Sequence, residues 1–353
     1  MKNKSPKEEV KTRIIKIEAG VSEKELIKLL TPAAKALANG KLVAFPTETV
    51  YGLGANALNA QAVLKIFEAK NRPADNPLIV HISRLKQLKL VAKDIPEVAK
   101  KLIHHFWPGP LTLILPKANS VPSQTTGGKP TVAVRMPDHK VALKLIELAR
   151  VPIAAPSANL SGKPSPTDAQ DVIEDLYGKV DFIIDAGSTP IGVESTVVDV
   201  TSSPPLVLRP GGLSVEDLHG VAPTLTLATR KSDLAKSPGT RYRHYAPQTP
   251  LWLITTSNYV QRINNLIQNL QKQGKTVVVL ATKQTQKAYP QAWAVLNLGD
   301  RNKPLEVSSN LFRKLREADR LNADIILAEP FEEKHLGLAI MNRLKRAASK
   351  IVN

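Results

Sequence analysis

Two kinds of hydrophobic spacing alternate along the chain and predict alternating helices and strands. Residues 22–39 (SEKELIKLLTPAAKALAN) carry apolar side chains at helical spacing, with Ser22 and Glu25 placed as a capping box. Short apolar runs such as KLVAF, LIVHI, LTLIL and TVAVR predict strands. Further helices are predicted over about 60–69, 95–105, 139–150 and 167–177. This alternation is typical of an α/β domain built on a twisted sheet.

The pattern changes twice toward the C-terminus. Between about 211 and 248, glycine and proline punctuate the chain and periodicity is lost, which predicts a linker without regular structure. Beyond it, strands (LWLIT, TVVVLAT, AVLNLG, DIILAE) alternate with helices and predict a small Rossmann-like domain without a GxGxxG fingerprint. The predicted divisions are an N-terminal extension (1–21), an α/β domain (22–210), a linker or lid (211–248) and a C-terminal domain (249–353).

Composition narrows the class of protein. A length of 353 residues favours two domains over one core. Apolar runs are far shorter than the roughly 20 residues that span a bilayer, so no membrane association is expected. The segment MKNKSPKEEVKTR has no apolar stretch behind it, which argues against a secretory signal and for the cytoplasm. The absence of cysteine excludes disulfides, thiolate zinc sites and thiol nucleophiles.

The chain is strongly basic. Its 49 Lys and Arg residues exceed its 31 Asp and Glu residues, giving a formal net charge of +18. Such a charge indicates anionic partners, namely nucleotides, phosphates or RNA, although a general species bias would also produce it. Only 4% of residues are aromatic, which is poor material for stacking many bases. Nucleotide chemistry is therefore favoured over a dedicated RNA-binding surface.

The segment KNRPADNP, between a predicted helix and a predicted strand, is the first candidate anion site. Lys70 and Arg72 are two positions apart, so in extended backbone their side chains share one face. Pro73 and Pro77 restrict Arg72 and Asn76 to extended conformations. A solvated loop is the alternative interpretation. From its position within an apolar strand alone, nearby His81 is more readily a core residue than a site residue.

Other polar turns follow or precede predicted strands. In FPTETVYGLG, Thr47, Glu48 and Thr49 form either a ligand crevice at a strand end or only a capped turn. TVAVR places Thr131 and Arg135 on one strand face, where the arginine needs an anionic partner. That partner is either a substrate carboxylate or a buried Asp or Glu.

A third group of turns is rich in hydroxyl and amide side chains. APSANLSGKPSPT offers Ser157, Asn159, Ser161 and Ser165 to phosphate or ribose oxygens, but it contains no Walker A motif. GVEST and LRPGG add Glu194, Ser195, Thr196 and Arg209 before and after predicted strands. No Ser-His-Asp order or HExxH motif is visible, which weakens a hydrolase interpretation.

In this order, PTETVYGLG, KNRPADNPL, WPGPLTLIL, VAVRMP, APSANLSG, GVESTVVD and LRPG resemble the Sua5/YrdC/YwlC family of threonylcarbamoyl-AMP synthases. The Lys-x-Arg and Ser-x-Asn signature of that family matches Lys70, Arg72, Ser157 and Asn159 here. SPGTRYRHYAPQTP, LFRKLREAD and GLAIMNRLKRAA resemble the longer Sua5 type. The resemblance implies a YrdC-like mixed-sheet α/β domain followed by a linker and a Rossmann-like Sua5 C-terminal domain.

The resemblance also implies an activity. L-threonine, bicarbonate or CO2, and ATP would give L-threonylcarbamoyladenylate and pyrophosphate, a reaction that depends mostly on positioning and charge neutralisation. The product would pass to a separate tRNA threonylcarbamoyl transferase complex, which modifies the adenosine next to the anticodon. Weak RNA binding is a further expectation of the resemblance.

Residue roles are carried over from matched positions only. Lys70 and Arg72 would be catalytic by neutralising phosphate charge, Arg135 would bind the threonine carboxylate, and Tyr245 on the linker would close over the nucleotide. Mg²⁺ would accompany ATP, with Glu48 and Glu194 as guesses for its ligands and the true ligands unknown. The implied ATP contacts are Lys70, Arg72, Asn76, Thr131, Ser157, Asn159, Ser165, Arg209 and Tyr245. The implied threonine contacts are Thr49, His81, Arg135, Ala155 and Ser195.

Three alternatives remain open at this point. The chain could be a non-catalytic protein that binds double-stranded RNA or nucleotides. It could transfer carbamoyl groups in hydrogenase maturation, although proteins of that kind carry Cys-rich zinc motifs and this chain has no cysteine. It could also be a nucleotide-binding regulator with the C-terminal domain as sensor.

Overall fold

The computed structural model describes residues 10–234, 237 and 245–353. Its strands are β1 (Arg13–Lys16), β2 (Val43–Phe45), β3 (Gly52–Asn56), β4 (Ile79–His81), β5 (Leu111–Pro116), β6 (Thr131–Arg135), β7 (Ile153–Ala154), β8 (Phe182–Asp185), β9 (Thr196–Asp199), β10 (Leu206–Arg209), β11 (Thr226–Leu227), β12 (Leu251–Ile254), β13 (Val277–Ala281), β14 (Ala294–Asn297), β15 (Ile325–Ala328) and β16 (Lys350–Val352).

Helices alternate with these strands, and the predicted ones are all found within a few residues of their expected bounds. They are α1 (Glu23–Ala38), α2 (Ala60–Lys70), α3 (Leu88–Val91), α4 (Glu97–Phe106), α5 (Ser123–Thr126), α6 (Lys140–Ala149), α7 (Ala169–Leu176), α8 (Val215–Val221), α9 (Lys231–Leu234), α10 (Tyr259–Gln271), α11 (Pro304–Arg320) and α12 (Leu336–Ala347), with short 3₁₀ turns at Leu85–Gln87 and Gln286–Ala288.

The first part of the chain forms one large mixed sheet. Among the described residues it has eleven strands in the order β1-β8-β2-β3-β7-β4-β6-β5-β9-β10-β11. Parallel pairs such as β4–β6 and β5–β9 sit beside antiparallel pairs such as β5–β6. Helices α1 and α6 cover one face with an apolar cluster, and α2, α4 and α7 contribute to the largest apolar cluster. This confirms the predicted mixed-sheet α/β architecture.

The second part is a five-stranded sheet in the order β14-β13-β15-β12-β16, in which every pair is parallel. Helix α10 contributes Ile263 and Ile267 to one apolar cluster, while α11 and α12 contribute Phe312 and Leu344 to another. Helices therefore cover both faces, as parallel sheets require. The Rossmann-like layer is confirmed.

Two segments have more regular structure than the sequence suggested. The stretch predicted as an unstructured linker contains helix α8, capped by Ser214, and the short strand β11. Val215 and Leu218 of α8 are buried in the main core, and this burial stabilises the helix. The helix is too short for its hydrophobic periodicity to be recognised in the sequence. The predicted N-terminal extension likewise contributes β1, which pairs in parallel with β8.

No helix in the described part of the chain is both long and apolar enough to cross a membrane.

Candidate active site

A cleft opens beside the carboxyl ends of β4 and β6. These strands are parallel neighbours, and their register places His81 opposite Arg135. The carboxyl edge of strands is where ligands enter α/β sheets. Five predicted threonine contacts and four predicted ATP contacts line the cleft: Thr49, His81, Arg135, Ala155 and Ser195, and Arg72, Ser157, Arg209 and Tyr245.

The KNR segment has a different backbone from the one expected. Lys70 is the last residue of α2, and Asn71 caps that helix in the left-handed conformation at φ 51°. The assumption that extended backbone places Lys70 and Arg72 on one face was therefore wrong. Asparagine tolerates this conformation and ends helices in this way. As a result Arg72 lines the cleft, whereas Lys70 lies beneath it.

Lys70 supports the turn of residues 157–165, which we call the serine turn. Its side chain is 1% exposed, and its Nζ donates to the carbonyl of Ser157 at 2.5 Å and to that of Asn159. Burial lowers the pKa of Lys70 well below its ordinary value, and the charge of Arg72 adds to this. In this conformation Lys70 contacts the serine turn; a phosphate contact stays a prediction.

The serine turn is also stabilised from within. Asn159 accepts a hydrogen bond from the Ser157 hydroxyl at 2.6 Å and donates to the carbonyls of Leu160 and Lys163 at 2.7 and 3.0 Å. Both amide hydrogens of Asn159 are thereby used. The Ser-x-Asn pair fixes the shape of the turn, and Ser157 alone of the two lines the cleft.

Arg135 is held among buried groups at the end of β6. Its guanidinium donates to the Thr49 hydroxyl at 2.9 Å and to the Gly109 carbonyl at 3.2 Å. Its Nη2 lies 2.6 Å from Glu48 Oε2, without the alignment of a hydrogen bond. Of the two partners that the sequence left open for Arg135, the structure therefore contains the buried acid, and Arg135 still lines the cleft.

His81 is a neutral imidazole. It is 4% exposed, and burial together with the Arg135 charge lowers its pKa to about 3. Its Nδ1 has no hydrogen-bond partner among the described residues. A neutral ring has one accepting nitrogen, which suits contact with an N–H or O–H group of a ligand.

Three further predicted ATP contacts lie outside the lining of the cleft: Asn76, Thr131 and Ser165, of which Ser165 is fully buried and donates to Glu194. Asn76 is fully buried next to Pro77, and neither its side-chain oxygen nor its nitrogen has a hydrogen-bond partner in the described part of the chain. Buried amides of this kind are rare without a ligand or water. Thr131 begins β6, four residues from Arg135 and therefore roughly 13 Å away along the strand.

Another part of the cleft lining contains Ser195, Arg209 and Glu194, which are connected by hydrogen bonds to their neighbours. Arg209 donates to the Ser195 carbonyl at 2.8 Å, and the Ser195 hydroxyl lies 2.7 Å from that of Thr112. Glu194 accepts from Ser165 at 2.5 Å and from Arg343 of α12 at 2.7 Å. Burial alone would raise the pKa of Glu194, but the charges of Arg343 and Arg209 and these hydrogen bonds lower it.

Tyr245 closes this side of the cleft and is 4% exposed. Its ring stacks on Phe312 of α11 at 5.4 Å between centroids, and Arg343 lies 5.2 Å from the ring centre. The next residue, Ala246, donates from its backbone N–H to the Gly162 carbonyl of the serine turn at 2.9 Å. Most of the quoted segment SPGTRYRHYAPQTP before Tyr245 lies outside the described residues.

Comparison with known proteins agrees with these features. Residues 35–211 match the family of Sua5, YciO and YrdC proteins, described as "Telomere recombination", and residues 213–349 match the family "Threonylcarbamoyl-AMP synthase, C-terminal domain". The chain is 54% identical to the threonylcarbamoyl-AMP synthase of Pyrococcus abyssi, over 90% of this chain and 93% of that protein. The chain belongs to the Sua5 family.

Other relatives extend the Sua5 family match. The threonylcarbamoyl-AMP synthase of Bacillus subtilis is 48% identical, over 90% of this chain and 92% of that protein. The crystal structure of P. abyssi Sua5 complexed with L-threonine superposes with a TM-score of 0.90 at 50% identity, covering 96% of this chain and 99% of that one.

The described residues do not fit a metal site made by protein side chains. They contain no group of three or more His, Cys, Asp or Glu residues that could hold an ion. Glu48 is paired with Arg135, and Glu194 with Arg343 and Ser165. Neither guessed carboxylate is therefore available as a ligand in this conformation of the Sua5 chain.

Sequence reasoning missed the residues that the C-terminal domain brings to this region. Arg343 lies on the buried stripe of α12 with Ile340, Leu344 and Ala347, and Arg316 lies on the buried stripe of α11 with Phe312. An arginine at an apolar position of an amphipathic helix is a signal for a buried anionic partner. This signal can be recognised in the Sua5 sequence, but it does not identify the carboxylate that pairs with each arginine.

Proposed function

We propose that this protein is an L-threonylcarbamoyladenylate synthase, which makes threonylcarbamoyl-AMP and pyrophosphate from L-threonine, bicarbonate or CO2, and ATP. The observation that carries the proposal is the convergence, in one cleft, of a polar group around Arg135 and His81 and a basic group around Arg72 and Arg209. Close relatives bear the name of this activity, and one was crystallised with L-threonine.

Threonine binds at the end of the cleft formed by β4 and β6. Arg135 offers a guanidinium to the threonine carboxylate, which would share it with Glu48. Neutral His81 accepts a hydrogen bond from the amine or hydroxyl without repelling it, because its ring carries no charge at neutral pH. The neutral amine then attacks the carbon of CO2 to form a carbamate and loses a proton; when bicarbonate is the reactant, a water molecule leaves instead.

ATP binds between Arg72 and Arg209, and Tyr245 lies against the nucleotide. A carbamate oxygen attacks the α-phosphorus, the bond from that phosphorus to the bridging oxygen breaks, and pyrophosphate leaves. Arg72 and Arg209 stabilise the charge on the phosphate oxygens, since guanidinium groups match phosphate geometry. Any Mg²⁺ arrives with the ATP phosphates, as part of the substrate.

The serine turn positions the phosphates rather than reacting with them. Its shape is set by Lys70 below and by Asn159 within, so its backbone and the Ser157 hydroxyl are held before ATP arrives. Such preorganisation lowers the barrier because no reorganisation is needed during the reaction. No protein nucleophile is required, which agrees with the absence of cysteine and of a Ser-His-Asp order in the sequence.

Tyr245 acts as part of a lid over the nucleotide. Its ring lies between Phe312 and the cleft, where it can exclude water from the labile mixed anhydride. Tyr245→Ala is expected to shorten the lifetime of the bound adenylate and to raise hydrolysis to AMP. Unchanged adenylate formation and lifetime in Tyr245→Ala would refute the lid.

In the cell the adenylate passes to a tRNA threonylcarbamoyl transferase complex, in the cytoplasm, and the basic surface gives at most weak contact with RNA. The decisive test of the activity itself is exchange of radiolabelled pyrophosphate into ATP. We expect exchange only when threonine and bicarbonate are both present. Exchange without threonine would indicate that a different group is adenylated. No exchange, from protein that binds ATP, would favour a nucleotide- or RNA-binding protein without this activity.

A further inference from the structure

The C-terminal domain places two buried arginines against the first sheet domain, one from each of its inner helices. Arg343 of α12 is fully buried and Arg316 of α11 is 5% exposed. Arginine is rarely buried to this degree unless it is paired. In both cases the partner is a carboxylate of the first domain that also holds the serine turn.

Arg343 acts at the C-terminal end of the serine turn. Its Nε donates to Glu194 Oε2 at 2.7 Å, and its Nη1 donates to the Pro210 carbonyl at 3.0 Å. The second oxygen of Glu194 accepts the Ser165 hydroxyl at 2.5 Å. The chain of contacts therefore runs from α12 through Glu194 to the last residue of the turn.

Arg316 acts on the middle of the same turn. Its Nη2 donates to the Pro164 carbonyl at 2.7 Å and to Asp175 Oδ2 at 2.8 Å. Asp175 Oδ2 also accepts the backbone N–H of Leu160 at 3.1 Å, and Asp175 Oδ1 accepts Lys163 Nζ at 2.8 Å. Burial alone would raise the pKa of Asp175, but Arg316 and Lys163 lower it, so the carboxylate stays charged.

These two contacts fix the part of the turn that Lys70 does not hold. Lys70 binds the carbonyls of Ser157 and Asn159, whereas Arg316 and Arg343 act on residues 160–165 from the C-terminal domain. A change in either carboxylate would move donors of the turn relative to Arg72 and Arg209. In metal sites, mutation of a residue that orients a direct ligand commonly costs about 10–100-fold in affinity or activity, and the same logic applies to residues that orient this turn.

We infer that Arg343 and Arg316 are positioning residues for ATP, and that the C-terminal domain is a structural part of the nucleotide site. The inference rests on the proposed function for the identity of the nucleotide. It concerns the ATP end of the cleft, because Arg343 and Arg316 donate to Glu194, Asp175 and the Pro164 carbonyl, which hold or belong to the serine turn. Helix α11 reaches the threonine end through a different residue, Ser308, which donates to the Ile191 carbonyl.

The test compares Arg343→Met and Arg316→Met with a matched control, Lys345→Met, in the full-length protein. Lys345 lies two residues from Arg343 on α12, but its ammonium is exposed and pairs only with Glu333 among the described residues. ATP and L-threonine dissociation constants are measured separately by calorimetry, and the KM values for both substrates by pyrophosphate exchange. Arg343→Lys, which keeps the charge but lacks the guanidinium fork, serves as the conservative variant.

For each Met variant we expect the ATP dissociation constant and KM to rise roughly tenfold to a hundredfold, with threonine binding changed less than about twofold. Arg343→Lys should recover part of the ATP affinity, and Lys345→Met should match the unchanged protein. Equal losses of affinity for ATP and for threonine would indicate a purely structural role of the arginine and would overturn the inference. Unchanged ATP affinity in both Met variants would also overturn it. Because affinities are measured without turnover, absence of exchange in the unchanged protein refutes the proposed function separately.

Discussion

Lys70→Met tests whether the first residue of the KNR segment works by holding the serine turn. The lysine ammonium is buried and donates to the carbonyls of Ser157 and Asn159. Methionine has a similar length and no donor, so the substitution removes both bonds while filling nearly the same space. The two carbonyls are left without their charged partner at the edge of the cleft.

The magnitude follows from these two bonds. Hydrogen bonds to charged groups contribute about 1.5–3 kcal/mol each, so two of them amount to about 3–6 kcal/mol. Removing a buried ammonium also relieves its desolvation, which the lowered pKa of Lys70 reveals. We therefore expect a net loss at or just below the lower end of that range, about 2–3 kcal/mol in the free energy of unfolding, together with a raised KM for ATP.

The assay pairs urea unfolding with pyrophosphate exchange, and Lys65→Met is the matched control. Lys65 is on the same helix and donates to a single carbonyl, that of Gly40, from an exposed position. Its substitution should change stability by no more than about 0.5 kcal/mol. A Lys70→Met protein with unchanged stability but a reduced kcat would refute the positioning role and favour direct contact between Lys70 and the phosphates.

Three other predictions follow from the same contacts. Arg72→Met should lower kcat/KM for ATP on the order of a hundredfold. Loss of its hydrogen bond to the Pro77 carbonyl should lower stability by no more than about 2 kcal/mol, and an equally active variant would remove Arg72 from the site. His81 has a folded pKa of about 3 against an ordinary value of 6.5, so its stabilising contribution is present above pH 6.5 and lost as pH falls toward 3. Urea unfolding between pH 7 and pH 4 should therefore show a shallower acid loss for His81→Gln, and an identical profile would contradict the burial argument. Gly192 has φ +76°, and a Cβ added there would lie 2.4 Å from the Ser308 carbonyl oxygen, so Gly192→Ala should lower the free energy of unfolding by about 2 kcal/mol or more. Gly187 has φ +84° and open space around it, so Gly187→Ala should cost only the strain of a positive φ. Equal losses of stability in the two variants would exclude the clash with Ser308.

Much of the fold was predictable because each element carries its own local signal. Helix α1 has both apolar periodicity and a Ser22 cap that accepts the Glu25 N–H, and the structure confirms it. Strands β1 and β16 were missed, since both have exposed residues and lie at sheet edges, where pairing rather than composition defines a strand. Helix α8 was missed because a segment of seven residues is too short for periodicity to be read.

The residues of the site also fall into those that local sequence signals predict and those that depend on the tertiary structure. Polar residues at strand ends, such as Arg135 and Ser195, were predictable because strand topology brings those ends together. The direction of Lys70 was not, because it depends on the left-handed backbone of Asn71. The pairing of Glu194 with Arg343 spans 149 residues, and no local pattern encodes contacts at that separation.

Capture of labelled bicarbonate tests the central claim most directly. The full-length protein is incubated with ATP, [¹⁴C]bicarbonate and either L-threonine or L-serine, and the products are separated from free label. We expect a labelled adenylate that requires threonine and ATP, formed in equal amount with pyrophosphate, and a much smaller amount with serine. No labelled adenylate with threonine, from protein that binds both ATP and threonine, would contradict the proposed reaction.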